Sequence, residues 1–116
     1  MFSTACSPAN AAAALEAIRV IDREPWRLAR LRERSDLFLK LCHDVGLDTG
    51  TSADTPVIPV ILGSSTRAMM VSQRLLQEGI NARPILYPAV RESAARVRFF
   101  LTCEHTEEQI VRTVEP

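Results

Sequence analysis

Two arginines near the carboxyl end of the chain have the residue type and the spacing of an anion-binding site. Arg96 and Arg98 alternate with apolar residues in a short strand-like segment, so both guanidinium groups would lie on the same face. Because Phe100 and Leu101 follow, we expect Arg98 to lie closer to the apolar interior than Arg96 does. A guanidinium in that position needs a carboxylate or a phosphate as its partner. The spacing leaves two alternatives for Arg98: a structural ion pair, or the binding of a ligand.

The lysine and the histidines give weaker indications of chemistry. Lys40 is the only lysine and falls inside a predicted helix beside an apolar stripe, where a lysine normally extends its amine into solvent. A nucleophilic lysine would instead need a desolvated site. His43 and His105 lie far apart in the sequence, without clustered carboxylates. We therefore predict structural or solvated roles for both histidines, and no metal site.

Hydroxyl groups near the amino end form a second candidate site. Ser3 and Thr4 precede a helix that Ser7 and Pro8 open, and hydroxyls in such positions most often cap helices.

The chain has no glycine-rich phosphate loop, no nucleophile elbow, no Cys-x-x-Cys and no His-Glu-x-x-His. We therefore predict no catalytic residue within the chain itself.

Length and composition limit the classes of protein. We expect residues 1–116 to form a single domain. Fourteen basic and 14 acidic residues give a formal charge of zero, which does not favour nucleic acid or an anionic membrane as a partner. No apolar run approaches the ~20 residues of a membrane span, and no signal peptide is evident. Three widely spaced cysteines indicate free thiols in a reducing cytoplasm.

The predicted elements run in the order α-α-β-α-β-β-α. The first helix should begin at Ser7-Pro8 and stop before Glu24-Pro25, and the second should open at Pro25 and end at Gly46. A third helix should end at Gly79, and a capping box at residues 106–109 should open the last one. Helical spacing also predicts which face of each helix is buried. For the second helix the buried face is Leu28, Leu31, Ser35, Phe38, Cys42 and Val45, widened by Leu37 and Leu41. For the third helix it is Ala68, Val71, Leu75 and Leu76.

The strands are short and are predicted at residues 57–62, 84–87 and 96–102. Pro59 cannot donate to a sheet, so its strand should lie at an edge or carry a bulge. A three-stranded sheet with helices packed on one face is the simplest two-layer solution. The predicted fold is a two-layer α/β domain (α+β) with a small sheet of three to four strands and helices on one face.

Four segments together resemble a known enzyme family, the α-oxoamine synthases. Residues 2–9, Phe-Ser-Thr-Ala-Cys-Ser-Pro-Ala, resemble its Phe-Ser-(Thr/Asn)-Ser-x-x-Pro-Ala segment, and residues 56–61 resemble its Pro-Ile-x-Pro-Val-Ile. Gly79-Ile80 before Pro84 resembles a Gly-(Ile/Val) ahead of a proline-rich loop. Residues 95–110 resemble its Ala-Arg-Leu-Arg stretch, which is followed by His-Thr and an Ile. The resemblance extends along almost the whole chain in the right order.

The resemblance implies a function for the residues singled out above. Members of the family are fold-type-I pyridoxal-phosphate enzymes that act as homodimers and join an amino acid to an acyl thioester, usually with loss of carbon dioxide. Arg98 matches the arginine that binds the amino-acid carboxylate, and Ser3, with Thr4 beside it, matches a hydroxyl that contacts the cofactor phosphate of the partner subunit. The chain would be the carboxy-terminal domain, with pyridoxal 5'-phosphate and its lysine carried by a large domain of the same polypeptide.

Some features depart from the family pattern, and two alternatives remain. Residues 88–91, Pro-Ala-Val-Arg, stand where several members have Pro-Thr-Val-Pro, so a hydroxyl is missing. Residues 86–90, Leu-Tyr-Pro-Ala-Val, together with residues 98–100, Arg-Phe-Phe, look closer to polyketide assembly-line members, which would imply an acyl carrier protein rather than free acyl-CoA as the acyl donor. Because the resemblance places the catalytic lysine in the large domain, the chain alone would be inactive and would bind no cofactor. The alternatives are a freestanding α/β ligand-binding or interaction module, and the small domain of a pyridoxal-phosphate aminotransferase.

Overall fold

The computed structural model describes residues 5–115, and its elements follow the predicted order. We number them along the chain as α1 (Pro8–Arg23), α2 (Trp26–Asp44), β1 (Val57–Ile61), α3 (Ser65–Gln77), β2 (Arg83–Ile85), β3 (Arg96–Phe100) and α4 (Glu107–Val114), with a short 3-10 turn at Glu92–Ala94. All three strands are shorter at their carboxyl ends than predicted, and β2 begins one residue earlier. No helix among the described residues is long and apolar enough to cross a membrane.

Local residues set the ends of the helices as predicted. The Ser7 hydroxyl accepts a hydrogen bond from the Asn10 amide at 3.3 Å, with Pro8 in the first turn of α1. Gly46 ends α2 at a φ of 76°. This left-handed conformation suits glycine, and it lets the Leu47 amide donate to the Cys42 carbonyl at 2.8 Å. The corresponding turn after α3 uses Gly79 in the same way.

The capping box of α4 gives a stability prediction. The Thr106 hydroxyl accepts from the Gln109 amide at 3.2 Å, and the Gln109 side chain accepts from the Thr106 amide at 3.0 Å. Replacing Thr106 with Ala leaves an amide at the start of the helix without its partner, so we expect a loss of about 1 kcal/mol in the free energy of unfolding. Urea denaturation measures the loss. Thr66→Ala, at an exposed threonine of α3, is the control, and an equal loss in both variants would contradict the capping role.

The sheet has three antiparallel strands in the order β1-β3-β2. Strand β1 lies at an edge, as Pro59 requires, because an edge strand has one side on which no donor is needed. Within the register, Ile58 pairs with Phe99 and Val60 pairs with Val97. Paired residues of antiparallel strands point to the same side, so these four apolar residues form one face of the sheet.

Helices α2, α3 and α4 cover that apolar face, which confirms the two-layer arrangement. Ile58 and Val60 pack in one cluster with residues of α2 and α4, namely Phe38, Cys42 and Ile110. Val97 packs in a second cluster with Ala68 of α3, Ala82 and Ala95. Phe99 and Leu62 contact both clusters, which joins them into one core. We call this side of the sheet the core face.

Several residues predicted to be buried are exposed. Val45 at the end of α2 and Leu76 on α3 expose 54% and 61% of their surface, and Leu28 and Val71 are also exposed. The centre of the α2 stripe is buried as predicted, at Ser35, Phe38 and Cys42. The reason is the width of the sheet: with three short strands, it covers only the middle turns of α2 and one narrow line along α3. Helical periodicity identifies an apolar face but does not show how much of it finds a partner.

The buried thiol of Cys42 gives a second prediction. Cys42 is fully buried in the core, and desolvation raises the pKa of its thiol to about 11. Only about one Cys42 thiol in a thousand would ionise at pH 8, and thiolate is the reactive form. We expect a thiol reagent at pH 8 to modify the exposed Cys6 rapidly and Cys42 only after denaturation, as followed by mass spectrometry. Modification of both at similar rates in the folded chain would contradict the burial of Cys42.

Candidate functional site

The second side of the sheet carries the arginines, and the described helices leave it uncovered. We call this side the open face; its residues are Val57, Pro59, Ile61, Arg83, Ile85, Arg96, Arg98 and Phe100, which alternate with the core-face residues along each strand. The helices whose residues form the core pack on the other side. The open face is therefore the surface on which a ligand or another part of the protein can meet the strand arginines.

Arg98 occupies the middle of the open face. Strand β3 is central, so Arg98 lies between Pro59 of β1 and Arg83 of β2. The side chain is partly buried, and its guanidinium carbon lies 6.0 Å from the centre of the Phe100 ring, within the range of a cation–π contact. No ion pair among residues 5–115 involves Arg98. The internal salt bridge considered from the sequence is thus absent from this part of the chain.

Arg96 and Phe100 differ from expectation in ways that favour Arg98 as the available cation. Arg96 donates from Nε to the carbonyl of Ala94 at 2.9 Å, which fixes this guanidinium beside its own backbone. Phe100 was expected to mark the apolar interior, but it is 55% exposed on the same face as Arg98. The apolar interior is instead on the side of Val97 and Phe99. Arg98 is thus flanked by an exposed aromatic ring and is not directed into the core.

The structure adds one residue that sequence reasoning missed. Arg83 pairs directly with Arg98 in the register and is exposed. The second strand was predicted to begin at Pro84, which left Arg83 outside it. Because Pro84 faces the core with Val97, its neighbour Arg83 must face the open side, and strand alternation could have indicated this once the strand was extended by one residue.

A loop between β2 and β3 is tied to the start of α3. Both ends of the loop meet Ser65: its hydroxyl accepts from the Tyr87 amide at 3.3 Å and donates to the Glu92 carboxylate. The Ser65 amide also donates to Glu92, at 2.7 Å. A carboxylate at a helix amino terminus is favourably placed against the helix dipole. Ser65 and Glu92 therefore hold in place the loop that contains residues 88–91.

The Glu92 contact gives a pH prediction. Hydrogen bonds from the Ser65 hydroxyl and amide lower the pKa of the Glu92 carboxyl below its ordinary value of 4.5. A carboxyl whose pKa is lower in the folded state stabilises the fold above the unfolded pKa, and this contribution is lost as pH falls through the folded pKa. We expect Glu92→Gln to be less stable than the unsubstituted chain at pH 6 and to lose less stability between pH 6 and 3. Urea midpoints across this range provide the measurement, with Glu33→Gln as the exposed control; parallel pH profiles for the unsubstituted chain and Glu92→Gln would contradict the role.

The other residues singled out from the sequence lie apart from the open face. Lys40 is exposed on α2, as predicted, and α2 packs on the core face. The His43 ring contacts the buried hydroxyl of Thr49 at 2.9 Å. The His105 ring accepts from the Thr102 amide at 3.0 Å, a structural role for this histidine. Ser3 and Thr4 lie outside the described residues, so their predicted contact with a cofactor phosphate stays a prediction.

Comparison with known sequences shows that the chain is similar to one part of longer proteins. The sequence profile described as "Aminotransferase class I and II" matches residues 1–115. The chain is 44% identical over 110 residues to 8-amino-7-oxononanoate synthase from Symbiobacterium thermophilum, covering 95% of this chain and 28% of that protein. It is 36% identical over 115 residues to 8-amino-7-oxononanoate synthase 1 from Bacillus subtilis, covering 99% and 29%. The chain thus spans under a third of the length of these relatives.

Solved structures share the fold. Serine palmitoyltransferase from Sphingomonas wittichii superimposes with a TM-score of 0.84 at 25% identity, over 98% of this chain and 29% of that one. The 8-amino-7-oxononanoate synthase from Francisella tularensis superimposes with a TM-score of 0.80 at 24% identity, over 98% and 33%. The four helices and the three-stranded sheet therefore form a unit that recurs inside longer enzymes.

Proposed function

The chain belongs to the aminotransferase class I and II family, and on that premise we propose that it is the carboxy-terminal domain of an α-oxoamine synthase. Such an enzyme condenses an amino acid with an acyl thioester, usually with loss of carbon dioxide. The relatives named 8-amino-7-oxononanoate synthase support this subgroup within the family. In the proposal, residues 1–116 are one domain that works only together with a large cofactor-binding domain of the same polypeptide.

The observation that carries the proposal is the position of Arg98. Its guanidinium lies on the open face, on the central strand, with no ion pair among the described residues. A guanidinium can hold a carboxylate through two parallel hydrogen bonds, which fixes the orientation of the bound molecule as well as its position. We assign Arg98 to the carboxylate of the amino-acid substrate. By holding that group, Arg98 would set the angle at which the bonds of the α-carbon meet the cofactor ring.

Pyridoxal 5'-phosphate fits the described residues only in part. Arg98 can bind the carboxylate of a substrate that the cofactor holds, but Lys40 is exposed on the opposite side of the sheet and cannot serve the same site. We therefore assign the cofactor's lysine to the remainder of the polypeptide. When bound, the cofactor supplies an electron sink for the negative charge that develops at the α-carbon. Ser3 and Thr4 would contact the cofactor phosphate across a homodimer interface.

Further parts of the proposal concern partners and location. Exposed apolar side chains at Leu15, Ile18 and Ile21 follow one side of α1, a helix with no buried residue, and suit a surface against which the large domain packs. The acyl donor would be acyl-CoA or the thioester of an acyl carrier protein. The three cysteines, all described and unpaired, are consistent with the reducing cytoplasm we propose.

The proposal is tested on the longer polypeptide that contains this chain. After reconstitution with pyridoxal 5'-phosphate, we expect an amino acid and an acyl thioester together to release free thiol and carbon dioxide, and neither substrate alone to do so. Exchange of the amino group with a 2-oxo acid, without thiol release, would instead identify an aminotransferase. Absence of both reactions from a polypeptide that binds the cofactor would refute the proposal.

A further inference from the structure

A groove lies at one edge of the sheet, where β3 extends beyond β2. Strand β2 begins at Arg83, which pairs with Arg98, and β3 continues past this pair through Phe99 and Phe100. Two cavities of about 100 and 220 Å³ lie there, between α4 and the turn that follows α3. Each is well above the roughly 10–15 Å³ that one water needs, so each has room for several atoms of a ligand. The cavities form one groove because they share four lining residues, namely Ile80, His105, Gln109 and Thr113.

The two parts of the groove differ in polarity. The smaller cavity has an apolar floor, where Phe38 and Ile110 expose only 2% and 3% of their surface and Phe99 and Leu101 lie beside them. Polar residues line most of the larger cavity, namely Glu78, His105, Gln109, Arg112 and Thr113. A ligand that fills the whole groove therefore has one apolar end and one polar end.

The polar end contains hydrogen-bond donors whose side chains are held by other contacts. The Nδ1 atom of His105 accepts from a backbone amide, so the neutral ring carries its proton on Nε2. The side-chain oxygen of Gln109 accepts from the first turn of α4, which leaves its amide nitrogen as a donor. Arg112 donates from Nη2 to the Glu78 carbonyl at 3.1 Å and keeps further N–H groups. Donors fixed in this way lose little freedom when an acceptor binds.

Arg112 decides which acceptor suits these donors. No ion pair among residues 5–115 involves its guanidinium. Glu78, the acidic residue of the lining, is paired with Arg74 of α3 at 3.6 Å, which offsets its negative charge. An unpaired guanidinium beside two neutral donors matches the geometry and charge of a carboxylate.

We propose that this groove binds a short-chain carboxylic acid, with the carboxylate on Arg112, His105 and Gln109 and the hydrocarbon tail on the apolar floor. A small inorganic anion would leave the floor unfilled, and a wholly apolar molecule would leave the donors without acceptors. The site goes beyond the proposed function and does not depend on it. Its carboxylate-binding residues lie on α4 and the loop before it, and α4 packs on the core face, whereas Arg98 lies on the open face.

The first experiment titrates the 116-residue chain with hexanoate, hexanamide and acetate at pH 7 and constant ionic strength. Backbone amide NMR signals report binding, and we expect hexanoate to shift those of residues 78–81 and 105–113. Hexanamide, which lacks the charge, should bind at least about threefold more weakly, the size of one exposed charge pair. Acetate, which lacks the tail, should bind at least about tenfold more weakly, the effect of about two buried methylene groups.

Variants locate the carboxylate. Arg112→Gln should remove the preference for hexanoate over hexanamide, and Arg67→Gln, at an exposed arginine of α3 that lines neither cavity, should preserve it. Equal affinity for hexanoate and either analogue, or a preference that survives Arg112→Gln, would overturn the proposal. A preference that disappears in Arg98→Gln instead would place the carboxylate on the open face and would overturn it as well.

The second experiment repeats the measurement on the longer polypeptide, by calorimetric titration. Hexanoate should bind there too, and Arg112→Gln should weaken its binding at least about threefold. Hexanoate that fails to bind the longer polypeptide, or that binds the variant equally well, would overturn the site. If the polypeptide condenses no amino acid, the proposed function fails, whereas the hexanoate titration still decides whether the groove is a binding site.

Discussion

Replacing Arg98 with Gln in the longer polypeptide should lower kcat/KM for the amino acid by about 100-fold, because a charge-assisted, bidentate contact with the carboxylate is lost. Glutamine is shorter than arginine but keeps an unbranched polar side chain, so the strand that carries it should keep its conformation. It offers one uncharged donor group in place of the planar fork of a guanidinium. Most of the loss should appear in the KM of the amino acid, and the KM of the acyl thioester should stay near its original value. Steady-state kinetics with each substrate varied in turn provides the measurement.

Two further variants show whether the effect belongs to the guanidinium at this position. Arg98→Lys keeps the positive charge but cannot form two parallel hydrogen bonds to the carboxylate. We therefore expect its kcat/KM to lie between that of the unsubstituted enzyme and that of Arg98→Gln. Arg32→Gln removes one arginine from α2, on the other side of the sheet, and should leave the kinetics unchanged. An Arg98→Gln enzyme with the original kcat/KM would remove the carboxylate role and, with it, the observation on which the proposed function depends.

The largest effect on stability is expected at Phe38. This side chain exposes only 2% of its surface, lies at the centre of the α2–α4 part of the core, and has its ring centre 5.0 Å from that of Phe99. Phe38→Ala removes a buried ring and leaves a cavity between the helices and the sheet. We expect the free energy of unfolding to fall by about 3–5 kcal/mol, measured by urea denaturation with circular dichroism.

Phe100→Ala is the matched control for that substitution. Both substitutions replace a phenylalanine with alanine, but Phe100 is 55% exposed on the open face. Removing its ring therefore sacrifices little buried apolar surface. We expect its loss of stability in the isolated chain to be under about 1 kcal/mol. Similar losses in both variants would contradict the assignment of the two faces of the sheet.

Local chemistry in the sequence determined the number, type and order of the elements. The start or end of each of these helices depends on contacts between atoms no more than five residues apart along the chain. These contacts are made by Ser7 with Pro8, Gly46, Gly79 and the Thr106 capping box. Such contacts form whatever the rest of the fold does, so their residue types alone reveal them. The alternation of side chains around Arg98 is equally local. The sequence therefore predicted that Arg98 lies on the opposite face of the strand from Val97 and Phe99.

Tertiary structure alone decided which distant residues meet and which apolar residues stay exposed. Arg83 faces Arg98, and Ser65 holds Glu92, because the strand register and the packing of α3 bring together segments that are 15 and 27 residues apart. Periodicity within one element carries no information about its alignment with another, since a shift of one residue between strands would send every side chain to the other face. The exposure of Leu76 has the same origin: its side of α3 is apolar, but the three-stranded sheet is too narrow to cover it.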